Sequence, residues 1–550
     1  MARVFARAGY HVFIHQDYES RVRGGHNFFQ IRFSDRPIMA SRRPIDIVIA
    51  LDRPSITNDQ ENLTASGIIV YDSAILGQTY DGPEFFNVPS VEIATEDGGS
   101  KIMANTVATG AVLGMLGVEL TIFEDVLKGS FAKKGDAVIR QNIVAARRGH
   151  EFARHHCTRC AFSAAAVGKP LLLIDGNAAI GVGAVMSGCK FYAAYPMTPS
   201  TGILNYMASK SDQYGILVEQ AEDEIAAINM ALGACFAGVR SMTGTAGGGF
   251  ALMVEGLSLA AMTETPVVIA LGQRPAPATG LPTRTEQGDL LFALYAAHGE
   301  FPRIVFAPGS PEQAVYLTNK AFELSHKYQV PAIILTDQYL ADTQWTYGGF
   351  DLSRLPYTDY RVRGEAYSSL PEYKRYAFTD TGISPFAVPG DGPHPVVADS
   401  DEHDEEGHLI EDAETRRGMI EKRLYRKLPL LRAEIAPPVL YGNPDAQTVF
   451  IAWGSQYGVL REATERLQEQ GAAMLHFTEL YPFPGTEKFD YLAILRKARR
   501  TVCVEQNATS QFARLLKAET GFSCSATINK YDGRPFLLED LLGELDAHLG

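Results

Sequence analysis

The chain has 550 residues, and this length indicates roughly three or four domains. Hydrophobic residues make up 46% and charged residues 21% of the chain, a balance typical of globular domains with buried cores. The net charge is −14 and no basic run is sustained, which argues against nucleic acid and anionic membrane surfaces as partners. No apolar run approaches the ~18 residues of a transmembrane helix, and the N-terminus lacks a signal-peptide core. We therefore expect a cytoplasmic protein.

Short apolar strands alternate with helical stretches over the first part of the chain, for example at residues 11–14 and 45–50. This βα pattern is typical of a parallel sheet, and we predict an α/β domain over residues 1–150. A basic stretch rich in small residues follows. We interpret residues 151–168 as a linker.

The alternation resumes strongly after residue 170 and indicates a doubly wound parallel sheet over residues 169–345. Its predicted strands lie at residues 171–174, 191–195, 215–218, 239–243, 266–270 and 331–335. Residues 346–437 are rich in Tyr, Pro and charge, with nine acids among the sixteen residues 399–414. They predict an extended connecting segment without its own core. A last α/β domain is predicted over residues 438–550.

The most informative segment is the loop 195–201, with the sequence Tyr-Pro-Met-Thr-Pro-Ser-Thr. Its two prolines hold the backbone out of the helical region. Thr198, Ser200 and Thr201 therefore follow a strand and precede a helix N-terminus, where open α/β sheets bind anionic ligands. The alternative interpretation is a Ser/Thr helix cap in a loop stiffened by proline.

Acidic and glycine-rich corners follow the next two strands. Glu224 ends a cluster with Glu219, Glu222 and Asp223, just before a helix of small residues. A carboxylate at such a corner is suited to bind a ring nitrogen of a buried cofactor, although acids that compensate a helix dipole are common. The Gly-rich run 243–250 lacks the Lys-Ser/Thr of a phosphate-binding P-loop. Its glycines admit either a phosphate or a partner subunit.

Arg274 stands at a predicted strand end beside the hydroxyls of Thr279 and Thr283. A guanidinium offers a bidentate fork that suits a substrate carboxylate. The alternative is a surface arginine that pairs with Glu286 or Asp289.

Metal-ligand patterns are weak, and we predict no metal site in this chain. Cys157 and Cys160 have the spacing of metal ligands, but the sequence offers no second pair to complete a four-thiolate site. An iron–sulfur cluster held by this chain alone is not expected. We interpret residues 390–392, Gly-Asp-Gly among prolines, as a turn and the acidic run 403–408 as a solvated loop.

Several motifs occur in a fixed order along the chain: residues 195–201, 222–227, 274 with 279–283, 287–290, 298–300 and 531–536. In this order they resemble the large subunit of the 2-oxoacid:ferredoxin oxidoreductases in which a γ-type domain precedes the α-type domains. The 2-oxoglutarate branch gives the nearest resemblance. The resemblance covers nearly all of the chain and is far more specific than any single motif.

The resemblance implies a pyrimidine-binding thiamine diphosphate fold in residues 169–345 and a transketolase C-terminal-like domain at the end of the chain. Glu224 matches the family's cofactor-activating glutamate, which binds the aminopyrimidine ring nitrogen. Tyr195 and Pro196 are implied to contact the same cofactor. Thr198, Arg274 and Thr283 match residues that bind the carboxylate and keto group of a 2-oxoacid.

The implied activity is the reversible, coenzyme A-dependent oxidative decarboxylation of 2-oxoglutarate to succinyl-CoA and CO₂, with ferredoxin as electron acceptor. Such an activity serves a reductive tricarboxylic acid cycle. Mg²⁺ and a 4Fe–4S cluster are implied on a β-subunit, and the implied assembly is a heterotetramer, a dimer of αβ units. Two alternatives stay open. One is the same chemistry on pyruvate, a branched-chain oxoacid or indolepyruvate, and the other is a non-catalytic nucleotide-binding or electron-transfer scaffold.

The sequence departs from the family pattern in three places. Family γ-domains usually begin with a strand and a Gly-rich turn, whereas this chain begins in the following helix at Ala2, so we expect a late start or a missing first strand. The turn Thr-Ser-Gly-Pro-Gly reads Thr-Ala-Gly-Gly-Gly at 245–249. The loop Arg-Gly-Gly-Pro-Ser-Thr-Gly reads Arg-Pro-Ala-Pro-Ala-Thr-Gly at 274–280. The added Pro275 stiffens this loop and bears on substrate preference.

Overall fold

A computed structural model describes residues 1–21, 24–96, 99–159 and 163–549. The chain forms two compact units. Unit 1 comprises Met1–Leu173, Gln344–Gly349 and Leu537–Glu539, and unit 2 comprises Ile174–Thr343, Phe350–Phe536 and Asp540–Gly550. The finer division into domains and connecting segments stays a prediction. Cys160 lies outside the described residues, and so does the prediction that Cys157 and Cys160 hold no metal.

The strands are β1 (His11–Asp17), β2 (Phe28–Ser34), β3 (Ile45–Ala50), β4 (Leu63–Tyr71), β5 (Phe85–Asn87), β6 (Leu172–Asp175), β7 (Phe191–Ala194), β8 (Leu217–Gln220), β9 (Ser241–Ala246), β10 (Val267–Gln273), β11 (Ile304–Phe306), β12 (Pro331–Asp337), β13 (Gln344–Tyr347), β14 (Val439–Tyr441), β15 (Thr448–Trp453), β16 (Ala472–Phe477), β17 (Glu479–Tyr481), β18 (Arg500–Glu505) and β19 (Ala526–Asn529).

The α-helices are α1 (Ala2–Arg7), α2 (Arg53–Asp59), α3 (Ser73–Leu76), α4 (Ser90–Glu96), α5 (Ala104–Met115), α6 (Leu120–Phe131), α7 (Asp136–His156), α8 (Gly176–Met186), α9 (Thr201–Tyr214), α10 (Glu224–Phe236), α11 (Gly247–Met262), α12 (Leu290–Tyr295), α13 (Pro311–Tyr328), α14 (Gln338–Asp342), α15 (Glu365–Ser368), α16 (Ala413–Ile420), α17 (Leu428–Glu434), α18 (Tyr457–Leu467), α19 (Tyr491–Lys497), α20 (Gln511–Thr520) and α21 (Leu538–Asp546). A π-helix, Glu421–Lys427, joins α16 to α17.

The strands of unit 1 are only partly parallel. β3, β4 and β5 form the parallel sheet that the βα pattern predicts. β1 instead pairs antiparallel with β2 and with β13, so the prediction of one parallel sheet for this region was wrong for its first strand. β1 ends at Asp17 and β2 begins at Phe28, which leaves too short a connection for the crossover that a parallel pair needs.

Helices α5 and α7 of unit 1 pack through glycine. A Cβ on Gly110 would lie 2.3 Å from the carbonyl oxygen of Ala146, and one on Gly149 would lie 2.1 Å from that of Val107. Helix α7 continues to His156, so residues 151–156 of the predicted linker are helical. The small residues that suggested a linker are those that let the two helices approach closely.

The main sheet of unit 2 has the strand order β17-β11-β12-β10-β9-β7-β8. Its strands β7 to β12 are parallel, as the apolar runs predict, and β9, β10 and β12 are buried throughout. β8 lies on one side of β7, whereas β9 and β10 follow on the other side. The strand order therefore reverses between β7 and β9, and an α/β sheet opens a ligand crevice at the carboxyl ends of such strands. The α/β prediction for this region is confirmed. The placement of the predicted strand 171–174 was wrong, because β6 belongs to the sheet β2-β1-β13-β6 and not to the main sheet.

A second sheet of unit 2 has the order β14-β16-β15-β18-β19, and its last four strands are parallel. β17 follows β16 in the sequence but does not join this sheet. It pairs antiparallel with β11 of the main sheet. Within the described ranges, no helix combines the length and the apolar composition that crossing a membrane requires.

The segment from Phe350 to Glu434 is anchored to the corner between α11 and β10 by a buried charge cluster. Glu264 occupies this corner, and its Oε1 accepts a hydrogen bond of 2.6 Å from Nζ of Lys422. Lys427 Nζ donates to the other carboxylate oxygen. The two lysines are five residues apart and share one face because the intervening helix is a π-helix. Arg375 adds a hydrogen bond of 2.7 Å to the backbone carbonyl of Glu264.

The same segment also has a small apolar cluster, in which Tyr367 and Tyr373 pack against Ala387.

The buried charge cluster strongly affects the carboxyl group of Glu264. Burial raises the pKa of Glu264, but Lys422, Lys427 and Arg375 together lower it well below its usual range. Long-range charge pairs therefore hold this segment in place.

Candidate functional site

The loop 195–201, Glu224, Thr245 and Arg274 meet at the carboxyl edge of the main sheet, because they follow or end the parallel strands β7, β8, β9 and β10. The Thr245 hydroxyl lies 3.5 Å from Oε1 of Glu224 and 3.8 Å from the sulfur of Met197. Arg274 Nη1 donates a hydrogen bond of 2.7 Å to the carbonyl oxygen of Thr198. The structure therefore joins four motifs that are distant in sequence.

The loop 195–201 is held by the hydroxyl group of its own Ser200 and by Asn177 of helix α8. Ser200 precedes helix α9, yet its side chain does not cap that helix. Its hydroxyl instead donates a hydrogen bond of 2.9 Å to the carbonyl oxygen of Met197, and Asn177 donates one of 3.1 Å to the carbonyl of Pro199. The helix-cap interpretation is therefore wrong for Ser200. Tyr195 is 41% exposed at the start of the loop.

Glu224 is the first residue of helix α10 and is only 3% exposed. The capping role belongs to its neighbour Asp223, whose side chain accepts a hydrogen bond of 2.8 Å from the N–H of Ala226. Glu224 lies in the first turn as well, but it does not make the capping bond. Its carboxylate turns inward to Thr245.

The Gly-rich corner at the start of helix α11 makes room for this carboxylate. A Cβ on Gly249 would lie 2.0 Å from Oγ1 of Thr245 and 2.3 Å from Oε1 of Glu224. A Cβ on Gly248 in the same turn would meet no described atom within 4 Å. The sequence left the use of these glycines open, and the structure gives Gly249 an intramolecular reason.

Arg274 is half-buried, and burial lowers the pKa of its guanidinium while Asp289 raises it. The guanidinium has five N–H donors, and its bond to Thr198 uses one of them. The sequence alternative was a surface arginine paired with Glu286 or Asp289. The hydrogen bond to Thr198 directs Arg274 to the loop 195–201, and the charge of Asp289 acts on the same guanidinium.

The loop after Arg274 closes on itself before it reaches Thr283. The N–H of Leu281 donates a hydrogen bond of 3.1 Å to the carbonyl of Pro275. Gly280 has φ +55° there, and a Cβ on it would lie 1.7 Å from the same carbonyl oxygen. Thr283 is partly buried beyond this closed loop. In the part of the chain that the structure describes, no hydrogen bond joins Thr283 to Thr198 or Arg274.

A buried amide pair, which the sequence patterns did not predict, links the next turn to the second sheet. The N–H of Gln287 donates to the carbonyl of Gln506 at 2.7 Å, and the N–H of Gln506 donates back to Oε1 of Gln287 at 3.1 Å. Gln287 also donates to the carbonyl of Trp453, and Gln506 to that of Arg534. These hydrogen bonds fix the turn at Gln287, which follows the loop after Arg274, to the ends of β15 and β18 in the second sheet.

Comparisons with known proteins agree with this architecture. Residues 1–152 match the family described as pyruvate ferredoxin/flavodoxin oxidoreductase, and residues 182–422 match its thiamine diphosphate-binding domain. The chain is 31% identical to the 2-oxoacid:ferredoxin oxidoreductase subunit alpha of Sulfolobus sp., over 98% of this chain and 92% of that protein. It is 31% identical to the 2-oxoglutarate synthase subunit KorA of Archaeoglobus fulgidus, over 63% of this chain and 96% of that protein.

A solved structure also matches the whole chain. The 2-oxoglutarate:ferredoxin oxidoreductase from Magnetococcus marinus superposes with a TM-score of 0.91 at 30% sequence identity, over 100% of this chain and 96% of that one. Such a match at full length fixes the fold in both units. With the Sulfolobus relative, it places the chain among the alpha subunits of the 2-oxoacid:ferredoxin oxidoreductases, and the chain belongs to that family.

Proposed function

We propose that this chain is the α-subunit of an enzyme that oxidatively decarboxylates 2-oxoglutarate to succinyl-CoA and CO₂, reversibly and with coenzyme A, and reduces ferredoxin. The family relation supports the reaction class. The match to a structure solved with 2-oxoglutarate, coenzyme A and succinyl-CoA supports the choice of substrate. The observation that carries the proposal is the buried carboxylate of Glu224 in the crevice between β7 and β9.

The surroundings of Glu224 fit a bound thiamine diphosphate. The described residues bring no hydrogen-bond donor closer to this carboxylate than the Thr245 hydroxyl at 3.5 Å. A buried carboxylate with so long a contact is unfavourable unless another donor binds it. Gly249 keeps the adjacent space open, since a Cβ there would overlap the carboxylate. An N–H of a bound aminopyrimidine ring is the donor that this family's cofactor offers.

Bound thiamine diphosphate supplies the electron sink for decarboxylation. Glu224 accepts a hydrogen bond from its pyrimidine ring nitrogen and so holds the proton at that atom. Tyr195 and Pro196 line the same ring at the end of β7, where Tyr195 is exposed enough to contact it.

Arg274, Thr198 and Thr283 bind the 2-oxoacid. A 2-oxoacid presents a carboxylate next to a keto oxygen, and a guanidinium with free N–H donors suits the carboxylate. The hydrogen bond from Arg274 to the Thr198 carbonyl holds the guanidinium beside the Thr198 side chain. Thr283 adds a hydroxyl from the loop that Gly280 closes.

The remaining parts of the reaction belong to partners. A β-subunit contributes Mg²⁺ and a 4Fe–4S cluster, which passes electrons to ferredoxin, and two αβ units form the heterotetramer. The complex works in the cytoplasm, in oxidation or, where the carrier potential is low enough, in a reductive tricarboxylic acid cycle.

The test is anaerobic turnover by the chain assembled with its β-subunit. Each 2-oxoacid is supplied with coenzyme A and a viologen dye, and the kcat/KM for 2-oxoglutarate is compared with those for pyruvate, a branched-chain oxoacid and indolepyruvate. We expect the highest value for 2-oxoglutarate and no reduction by this chain alone. A higher value for another acid would replace the substrate but keep the chemistry. Absence of turnover with every acid would contradict the enzyme and favour the scaffold alternative.

A further inference from the structure

Asp289 is a buried carboxyl group at the candidate site that the proposed chemistry does not use. It directly precedes helix α12, where an aspartate ordinarily accepts an N–H of the first turn. Its side chain makes no such capping bond, and its Oδ2 has no hydrogen-bond partner among the described residues. Asp289 is nevertheless only 8% exposed. A role other than helix capping therefore determines the position of this carboxyl group.

The contacts of Asp289 place it at the edge of the crevice. Its backbone N–H donates a hydrogen bond of 3.0 Å to Oε1 of Gln273, the last residue of β10. Its carboxyl group faces the start of helix α11, where a Cβ on Gly247 would lie 2.6 Å from Oδ2 and 3.0 Å from Oδ1. Gln273 immediately precedes Arg274. The charge of Arg274 acts on this carboxyl group, so Asp289 lies within electrostatic range of the guanidinium that binds substrate in the proposed function.

The charged groups that face this carboxyl are Arg274, from the end of β10, and Glu286, from the same loop. Helix α11 presents the backbone of Gly247 there. Burial raises the pKa of Asp289 to about 6, although Arg274 lowers it in part. Burial also raises the pKa of Glu286, and the charge of Asp289 raises it further. Burial therefore favours the protonated form of Asp289 well above the pH range of an exposed aspartate.

We propose that Asp289 is a positioning residue for the substrate-binding Arg274. Asp289 takes up one proton as a 2-oxoacid carboxylate binds Arg274 and releases it as the carboxylate leaves. This inference rests on the proposed function. An ionised Asp289 repels the incoming carboxylate and offsets the charge of Arg274, whereas a protonated Asp289 leaves that charge to the substrate. The proton comes from solvent and returns to solvent. The negative charge of the bound substrate carboxylate thereby replaces the charge of the ionised Asp289 beside Arg274.

Linked protonation predicts a particular pH dependence of substrate affinity. The KM of the wild-type complex rises with pH above about 6, by at most about tenfold per pH unit for one linked proton. The carboxyl groups of the substrate are ionised throughout this range and do not produce the slope. In Asp289→Asn the KM is low and flat with pH, because the amide keeps the shape without the charge. The matched control Glu286→Gln keeps the slope.

The direct test uses the assembled complex and calorimetry with 2-hydroxyglutarate, which has the carbon skeleton of 2-oxoglutarate but lacks the keto group. Titrations near pH 7 in buffers of different ionisation heat measure protons taken up on binding. We expect a fraction of one proton for the wild type and none for Asp289→Asn. A wild-type uptake of zero overturns the proposal whether or not the variant folds. An unchanged KM slope in Asp289→Asn overturns it as well.

The same measurements separate this inference from the proposed function. If the wild-type complex turns over 2-oxoacids with a KM that is flat in pH, the role of Asp289 is wrong and the enzyme stands. If the complex turns over no 2-oxoacid at all, the proposed function fails first.

Discussion

Replacing Gly249 by alanine tests the geometry around Glu224 with a single methyl group. That methyl group would lie 2.0 Å from the Thr245 hydroxyl and 2.3 Å from the Glu224 carboxylate, where unstrained contacts begin near 3.4 Å. The carboxylate must therefore move by about 1 Å, a displacement that can reduce catalysis about 100-fold. Helix propensity acts in the opposite direction, since alanine favours the helix by about 1 kcal/mol over glycine. The expected result is a large loss of activity with little loss of fold.

The control for Gly249→Ala is Gly248→Ala, in the same turn of helix α11. A Cβ at Gly248 meets nothing within 4 Å in the described chain, so this variant gains the helix propensity without the overlap. The assay is anaerobic viologen reduction by the assembled complex, with the thermal midpoint of each variant measured beside it. We expect a kcat/KM within about threefold of wild type for Gly248→Ala and about 100-fold lower for Gly249→Ala. Equal activities of the two variants would refute the account of the Glu224 pocket.

Two further variants test the anchor of the connecting segment and the pocket loop. Glu264→Gln leaves Lys422 and Lys427 buried without their carboxylate, and we expect a loss of about 3–5 kcal/mol in the free energy of unfolding, measured by urea denaturation. Because the folded pKa of Glu264 lies below its unfolded value, this contribution is present above about pH 4 and is lost as the pH falls. Gly280→Ala places a methyl group 1.7 Å from the carbonyl oxygen of Pro275, so the pocket loop opens and KM rises more than kcat falls.

The control for the buried cluster is Asp445→Asn, which removes the partner of Lys497 at 2.5 Å, where the two side chains are 67% and 64% exposed. Exposed pairs contribute about 0–1 kcal/mol, so this variant is expected to unfold like the wild type. Similar losses in the two variants would contradict the special role of the buried carboxylate. For Gly280→Ala, an unchanged KM would show that the loop does not shape the substrate pocket.

Five strands of the main sheet, β7, β8, β9, β10 and β12, were predictable from apolar runs, and their ends differ from the prediction by up to a few residues. β11 and β17 were not predicted, and the predicted strand 171–174 forms β6 of a different sheet. The carboxyl ends of parallel strands share one edge, which explains why the loop 195–201, Glu224 and Arg274 lie together. In the sequence, only the family resemblance indicated that they share one site. The hydrogen bond from Arg274 to the Thr198 carbonyl agrees with that reasoning. The roles of these residues toward cofactor and substrate stay predictions.

Other features depend on pairings between distant parts of the chain, and no local pattern contains them. β13 adds to β1 across more than 300 residues, so the antiparallel pairing was not predicted. Lys422 and Lys427 share a face only because the helix between them is a π-helix. In the sequence, Asp289 has the position of an ordinary aspartate at a helix start. Only the structure shows that it is buried and makes no capping bond.

The most direct test of the central claim is Glu224→Gln in the complex assembled with its β-subunit. Glutamine keeps the shape of the side chain but lacks the negative charge that holds a proton at the pyrimidine ring nitrogen. We therefore expect a loss of at least about 100-fold in kcat. Thiamine diphosphate content and the thermal midpoint are measured on the same sample, so that loss of cofactor or fold is recognised. A kcat within about threefold of the wild type, with cofactor bound, would contradict the account.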